Sequence, residues 1–114
     1  MGPEAGEVAH LEARSAMPEL RELAFRIACD LRAGEPEPLC VELWHQSPDS
    51  AAYLVRAVIN ECRDAGIRLE RVIVDRYVAV ALHGPFGRRS WVHDGVRLEV
   101  GDALFQQADF YRSA

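Results

Sequence analysis

The chain has 114 residues, which suits one domain with a single buried core. Hydrophobic residues make up 49% and charged residues 27%, ordinary proportions for a globular protein, and a net charge of −5 argues against nucleic acid or an anionic membrane surface as a partner. All 13 basic residues are arginine and there is no lysine or threonine, which rules out a Schiff-base lysine, a phosphate-loop lysine and a threonine nucleophile. That bias fits GC-rich codon usage of a bacterial kind.

Residues 1–14 are rich in Gly, Glu and Ala, with Val8 and Leu11 as the large aliphatics. They read as a flexible tail or frayed helical extension ahead of a single domain over residues 15–114. The start, Met1-Gly2-Pro3-Glu4, lacks the basic-then-apolar order of a signal peptide, and no apolar run approaches the roughly 18 residues of a membrane span. The first helix is expected from about Ser15 to Ala33. Leu20, Leu23, Ala24, Ile27, Ala28 and Leu31 recur at helical spacing, and Gly34 ends it. Two prolines in Glu35-Pro36-Glu37-Pro38 make a stiff connector.

Leu39 to Asp75 then reads as strand, helix, strand. Leu39-Cys40-Val41-Glu42-Leu43-Trp44 is β-prone. Ser47 suits a helix cap, Pro48 the first helical position and Asp49 the positive end of the helix dipole. Ala51, Leu54, Val55, Val58, Ile59 and Cys62 form one apolar stripe, and Gly66-Ile67 has the chemistry of a helix stop. Arg71 to Asp75 is the second strand, so this stretch is expected to be a parallel, right-handed βαβ unit.

Residues 76–82 alternate large and small side chains and read as a strand that turns back or continues past a bulge. Gly84-Pro85-Phe86-Gly87 is a loop. Ser90 to His93 and Val96 to Val100 flank Asp94-Gly95, a strong hairpin signal. Asp102 is placed to cap a last helix with Leu104, Phe105, Ala108 and Tyr111 on one face, with a strand as the competing reading. The expected fold is α/β (α+β): a two-layer mixed sheet with a βαβ core and helices packed mainly on one face. The other face is left to solvent or to a subunit contact.

Cys29, Cys40 and Cys62 match no zinc or redox spacing. They read as reduced thiols, which suits a cytoplasmic protein. Histidines 45, 83 and 93 show no metal-ligand pattern, and Ser47, Ser50 and Ser90 lack a nucleophile elbow, so neither cofactor nor metal is expected and no catalytic set emerges. Two places can hold chemistry. One is the carboxyl end of the core strands, where His45, Gln46 and Ser47 leave the first and Asp75 and Arg76 leave the second; ligands bind there in open α/β sheets. The other is the loop His83 to Ser90, in which glycines allow close approach and Arg88 and Arg89 match phosphate or carboxylate geometry.

The function expected from the sequence is a small non-catalytic interaction or regulatory module acting as a homodimer, with a protein partner. The alternative is a protein or enzyme that takes a small anion at the strand ends and the arginine loop. A contiguous exposed apolar patch distinguishes the first, and a concave pocket with converging polar groups the second.

Overall fold

The computed structural model describes residues 5–34, 38–43, 46–83, 88–101 and 107–113, with side chains from residue 19 onward. The element order is α1 (Ala5–Ala33), β1 (Leu39–Glu42), α2 (Pro48–Asp64), β2 (Leu69–Val74), α3 (Arg76–His83), β3 (Ser90–His93), β4 (Val96–Val100) and β5 (Gln107–Arg112). The strands form a five-stranded mixed sheet in the order β1-β5-β2-β4-β3. This is the α+β, two-layer arrangement expected from the sequence.

Helix α2 forms where its local signals place it. Ser47 has an extended backbone and its Oγ accepts from the Ser50 N–H at 3.1 Å, with Pro48 opening the helix. At the other end the Ile67 N–H donates to the Cys62 carbonyl at 2.8 Å and Gly66 N–H to the Arg63 carbonyl at 3.2 Å. This paired pattern needs a left-handed residue, supplied by Gly66 at φ 73°. Between these ends Leu54, Val55, Val58 and Ile59 are fully buried. Leu20, Ala24, Ile27, Ala28 and Leu31 of α1 join the same core. The Asp94-Gly95 hairpin also forms, with φ of 49° and 79° at its two turn residues, as a tight right-twisting turn requires.

The βαβ expectation is corrected in one respect. β1 and β2 point the same way, but they are not neighbours. β5 lies between them and is antiparallel to both, pairing Leu39 with Phe110 and Val72 with Phe110. The parallel pair is β2 with β4, Val74 opposite Val100. Phe110 and Ala108, two apart, are both completely buried, so period-two burial at the centre of the sheet overrides the helical spacing read for the C-terminal segment. Residues 107–112 are therefore strand, not helix; Asp102, Leu104 and Phe105 lie outside the described residues.

The second correction is residues 76–82, which are helix and not strand. The Val78 N–H donates to Asp75 Oδ1 at 2.9 Å and the Ala79 N–H to the Asp75 carbonyl at 3.0 Å, so Asp75 ends β2 and caps α3 in one residue. Val78 and Ala79 are buried and Leu82 packs against the core, a helical i, i+1, i+4 set.

Alternation along the strands gives the sheet two unlike faces. Val72, Val74, Leu98, Ala108 and Phe110 pack under the helices. Arg71, Arg97, Glu99, Asp109 and Tyr111 point the other way, uncovered by any described element. No helix of the described residues is long and apolar enough to cross a membrane.

Candidate functional site

β1, β2 and β4 finish at one end of the sheet, where β3 and β5 begin. At this end, on the helix side, a half-open cavity of about 330 Å³ lies between the start of α2 and the start of α3. Leu43, Pro48, Ala51 and Val78 supply apolar walls, and Gln46, Asp75 and Tyr77 the polar groups. Each is placed by a local feature. Leu43 follows β1, and the Gln46 N–H donates back to its carbonyl at 3.0 Å, turning the chain into α2. Pro48 and Ala51 sit in the first turn of α2, and Tyr77 and Val78 in the first turn of α3.

Asp75 is the chemically distinctive member. Only 2% of it is exposed, the sole buried charged side chain among the described residues. Its carboxylate caps α3 and also forms part of the cavity wall. Tyr77, by contrast, is 63% exposed and stands at the mouth. Val80 follows it at i+3, also exposed, so the mouth continues into a small apolar strip on α3.

The residues singled out in the sequence are distributed as follows. Ser47 is spent as the α2 cap: its Oγ serves the Ser50 N–H and lies 3.1 Å from Ser50 Oγ. Asp75 lies in the wall of the cavity that Pro48, of the helix that Ser47 begins, also lines. Arg76 is exposed in the first turn of α3 and is not among the described lining residues. His83 is in the last turn of α3, with its ring edge-to-face on Trp91 at 4.0 Å. Arg88 and Arg89 are exposed just before β3, where the Arg89 carbonyl accepts from the Val100 N–H at 2.9 Å. His45 and residues 84–87 lie outside the described residues.

The arginine pair does reach the same end of the sheet as Ser47 and Asp75. It reaches the wrong side. β3 and β1 are the two outermost strands, so Arg89 and the chain entering α2 are separated by four strand spacings, roughly 19 Å. The structure thus joins Asp75 with the α2 start and leaves Arg88 and Arg89 apart from them. Tyr77 and Val78 were missed because residues 76–82 read as strand. The signal that finds them is Asp75 itself, a capping residue three before Val78 and followed by apolar Val78, Ala79 and Leu82 at helical spacing.

Two further polar clusters lie elsewhere. Arg63 Nη1 meets Asp94 Oδ2 at 2.7 Å, tying the last turn of α2 to the hairpin turn. Arg112 Nη1 donates to the Arg32 carbonyl at 3.0 Å and Arg32 Nη2 to the Ala65 carbonyl at 3.2 Å, securing the carboxyl ends of α1 and α2. Both read as structural ties. No three His, Cys, Asp or Glu side chains converge among the described residues. No family model matches the chain, and neither a curated protein nor a solved structure is significantly similar to it.

Proposed function

We propose that this protein is a small binding module whose ligand site is the cavity at the carboxyl ends of β1 and β2. The observation that carries this reading is the buried Asp75 carboxylate in the wall of a mainly apolar, half-open cavity of about 330 Å³. That volume falls at the lower end of small-ligand sites, and the mix of apolar walls with a few converging polar groups is the usual pattern of such sites.

The lining selects the ligand's chemistry. Leu43, Ala51 and Val78 accept an apolar body the size of a ring or a branched side chain. Asp75 lines the wall with carboxyl oxygens at low exposure, which favours a ligand that donates a hydrogen bond over an anion. The net charge of −5 acts in the same direction at longer range. A compact apolar amine, free or as the end of a partner's side chain, satisfies all three. The anion read from the arginines fits less well, because Arg88 and Arg89 precede β3, two strand spacings from Asp75 and four from the chain entering α2, and neither lines the cavity.

Titration with cyclohexylmethylamine and, separately, cyclohexanecarboxylate, followed in ¹H–¹⁵N spectra, tests this. The amine is expected to shift the Gln46, Tyr77 and Val78 amides at millimolar concentration, and the carboxylate to leave them unmoved. Equal response to both, or none to the amine, contradicts the reading. Among the described residues the exposed large apolar side chains are Phe25, Tyr77, Val80 and Val92, and of these Tyr77 and Val80 share one helix, so the described residues form no broad apolar docking patch. Self-association, the other expectation from the sequence, has a different surface at its disposal.

A further inference from the structure

The open face of the sheet sorts its charges by row. Across the strands, residues pointing away from the core fall into register: Cys40 with Asp109, Asp109 with Ile73, Ile73 with Glu99, Glu99 with Ser90. That row is acidic. The next row, two residues nearer the start of β2, runs Tyr111, Arg71, Arg97, Val92, and it is basic. Arg71 stacks on Tyr111 with its guanidinium carbon 4.3 Å from the ring centroid.

Within one copy the rows are only loosely joined. Arg71 Nη1 lies 3.6 Å from Glu99 Oε1 and Arg97 Nη1 lies 3.8 Å from Glu99 Oε2, ion-pair distances beyond hydrogen-bond range. Asp109 accepts from Gln107 Nε2 at 2.8 Å and has no arginine of its own row. Two carboxylates therefore face two guanidinium groups across a gap of one row, which makes the face complementary to itself.

We infer that this face docks a second copy of the same chain, about a two-fold axis that lies in the interface and runs across the strands between the two rows. That axis exchanges the rows. Arg97 of each copy then meets Glu99 of the other, and Tyr111 meets Asp109. A two-fold axis along the strands would instead set carboxylate over carboxylate and guanidinium over guanidinium, which like-charge repulsion rejects. A closed pair follows, because the contact uses the same patch on both copies. Val92, 69% exposed at the end of the basic row, gains cover in the pair. The patch is roughly 19 Å across five strands, small for a permanent interface, so the association is weak and sensitive to salt.

The experiment is sedimentation of wild type, Arg97→Glu, Glu99→Arg and their equimolar mixture, from on the order of 10 to 500 micromolar protein at low ionic strength. Wild type is expected to dimerise reversibly, and at least about tenfold more weakly in half-molar salt. Each variant alone carries charge of one sign across the contact and is expected to stay monomeric. The mixture is expected to recover the dimer, because opposite charges meet only between unlike copies; repair of a contact within one chain cannot do this. A cooperative melt verifies that each variant folds, and Arg97→Gln with Glu99→Gln replaces any that does not, each expected to weaken the dimer. A monomeric wild type, variants that dimerise as well as wild type, or a mixture that stays monomeric overturns the inference. The cavity lies on the other side of the sheet, so its ligand binding succeeds or fails separately.

Discussion

The Val78 N–H donates to Asp75 Oδ1 at 2.9 Å, and this bond joins the fold to the candidate site. It stops β2, starts α3, and fixes a buried carboxylate in the cavity wall. Removing the acceptor is expected to cost about 2 kcal/mol, from a lost cap and an unsatisfied donor. Asp75→Asn keeps an acceptor oxygen and is expected to cost less than half as much. Urea unfolding midpoints of Asp75→Ala and Asp75→Asn check the difference.

Val58 is fully buried at the centre of the α2 stripe. Val58→Asp places an unpaired charge in the core and is expected to destabilise by about 4 kcal/mol or more, leaving the protein unfolded or aggregated. Retained solubility and an unchanged melting temperature would mean that α2 does not present this face to the core.

Gly66 and Gly95 sit at φ 73° and 79°, and a Cβ at either would meet nothing within 4 Å. The cost of Gly66→Ala and Gly95→Ala is therefore backbone strain alone, about 1 kcal/mol or slightly more each. The Arg63–Asp94 ion pair at 2.7 Å links the two turns, so the double variant is expected to depart from the sum of the single effects in chemical denaturation.

Burial pushes the Cys62 thiol up to about 11, with Glu61 adding to the effect. The folded state thus holds the proton more tightly than the unfolded chain does. The stability this contributes is intact below the ordinary thiol value near 9 and is lost as pH rises through about 11. Wild type is expected to lose more stability than Cys62→Ala over that window. Native Cys62 should also resist thiol reagents near pH 8, whereas exposed Cys29 reacts. Cys40, exposed but donating to Asp109, has its thiol pushed up as well and is expected to react more slowly than Cys29.

What the sequence discloses follows how local each signal is. Helix α2 is legible because Ser47-Pro48-Asp49 and Gly66-Ile67 carry its ends, and the stripe between them carries its face. The hairpin is legible because Asp94-Gly95 alone specifies the turn. β5 is not, because Ala108, Phe110 and Tyr111 fit either period. What decides is pairing with Leu39 and Val72, residues 38 or more positions away in the chain. α3 was hidden by the alternation in Val78-Ala79-Val80-Ala81, which the Asp75 cap overrides. The site divides the same way. Ser47 and Asp75 are recognisable at strand ends, but the separation of Arg88 and Arg89 from them depends on strand order, which no local pattern encodes.

Calorimetric affinity for cyclohexylmethylamine in wild type and Tyr77→Ala decides whether the cavity beside Asp75 is the proposed amine site. Tyr77 is 63% exposed, so its removal is expected to leave the melting temperature nearly unchanged while taking away one wall of the mouth. Binding is expected in the wild type, with an affinity at least about fivefold lower in Tyr77→Ala, on the order of 1 kcal/mol. Equal affinity in the two proteins, or no binding to wild type at millimolar amine, would contradict it.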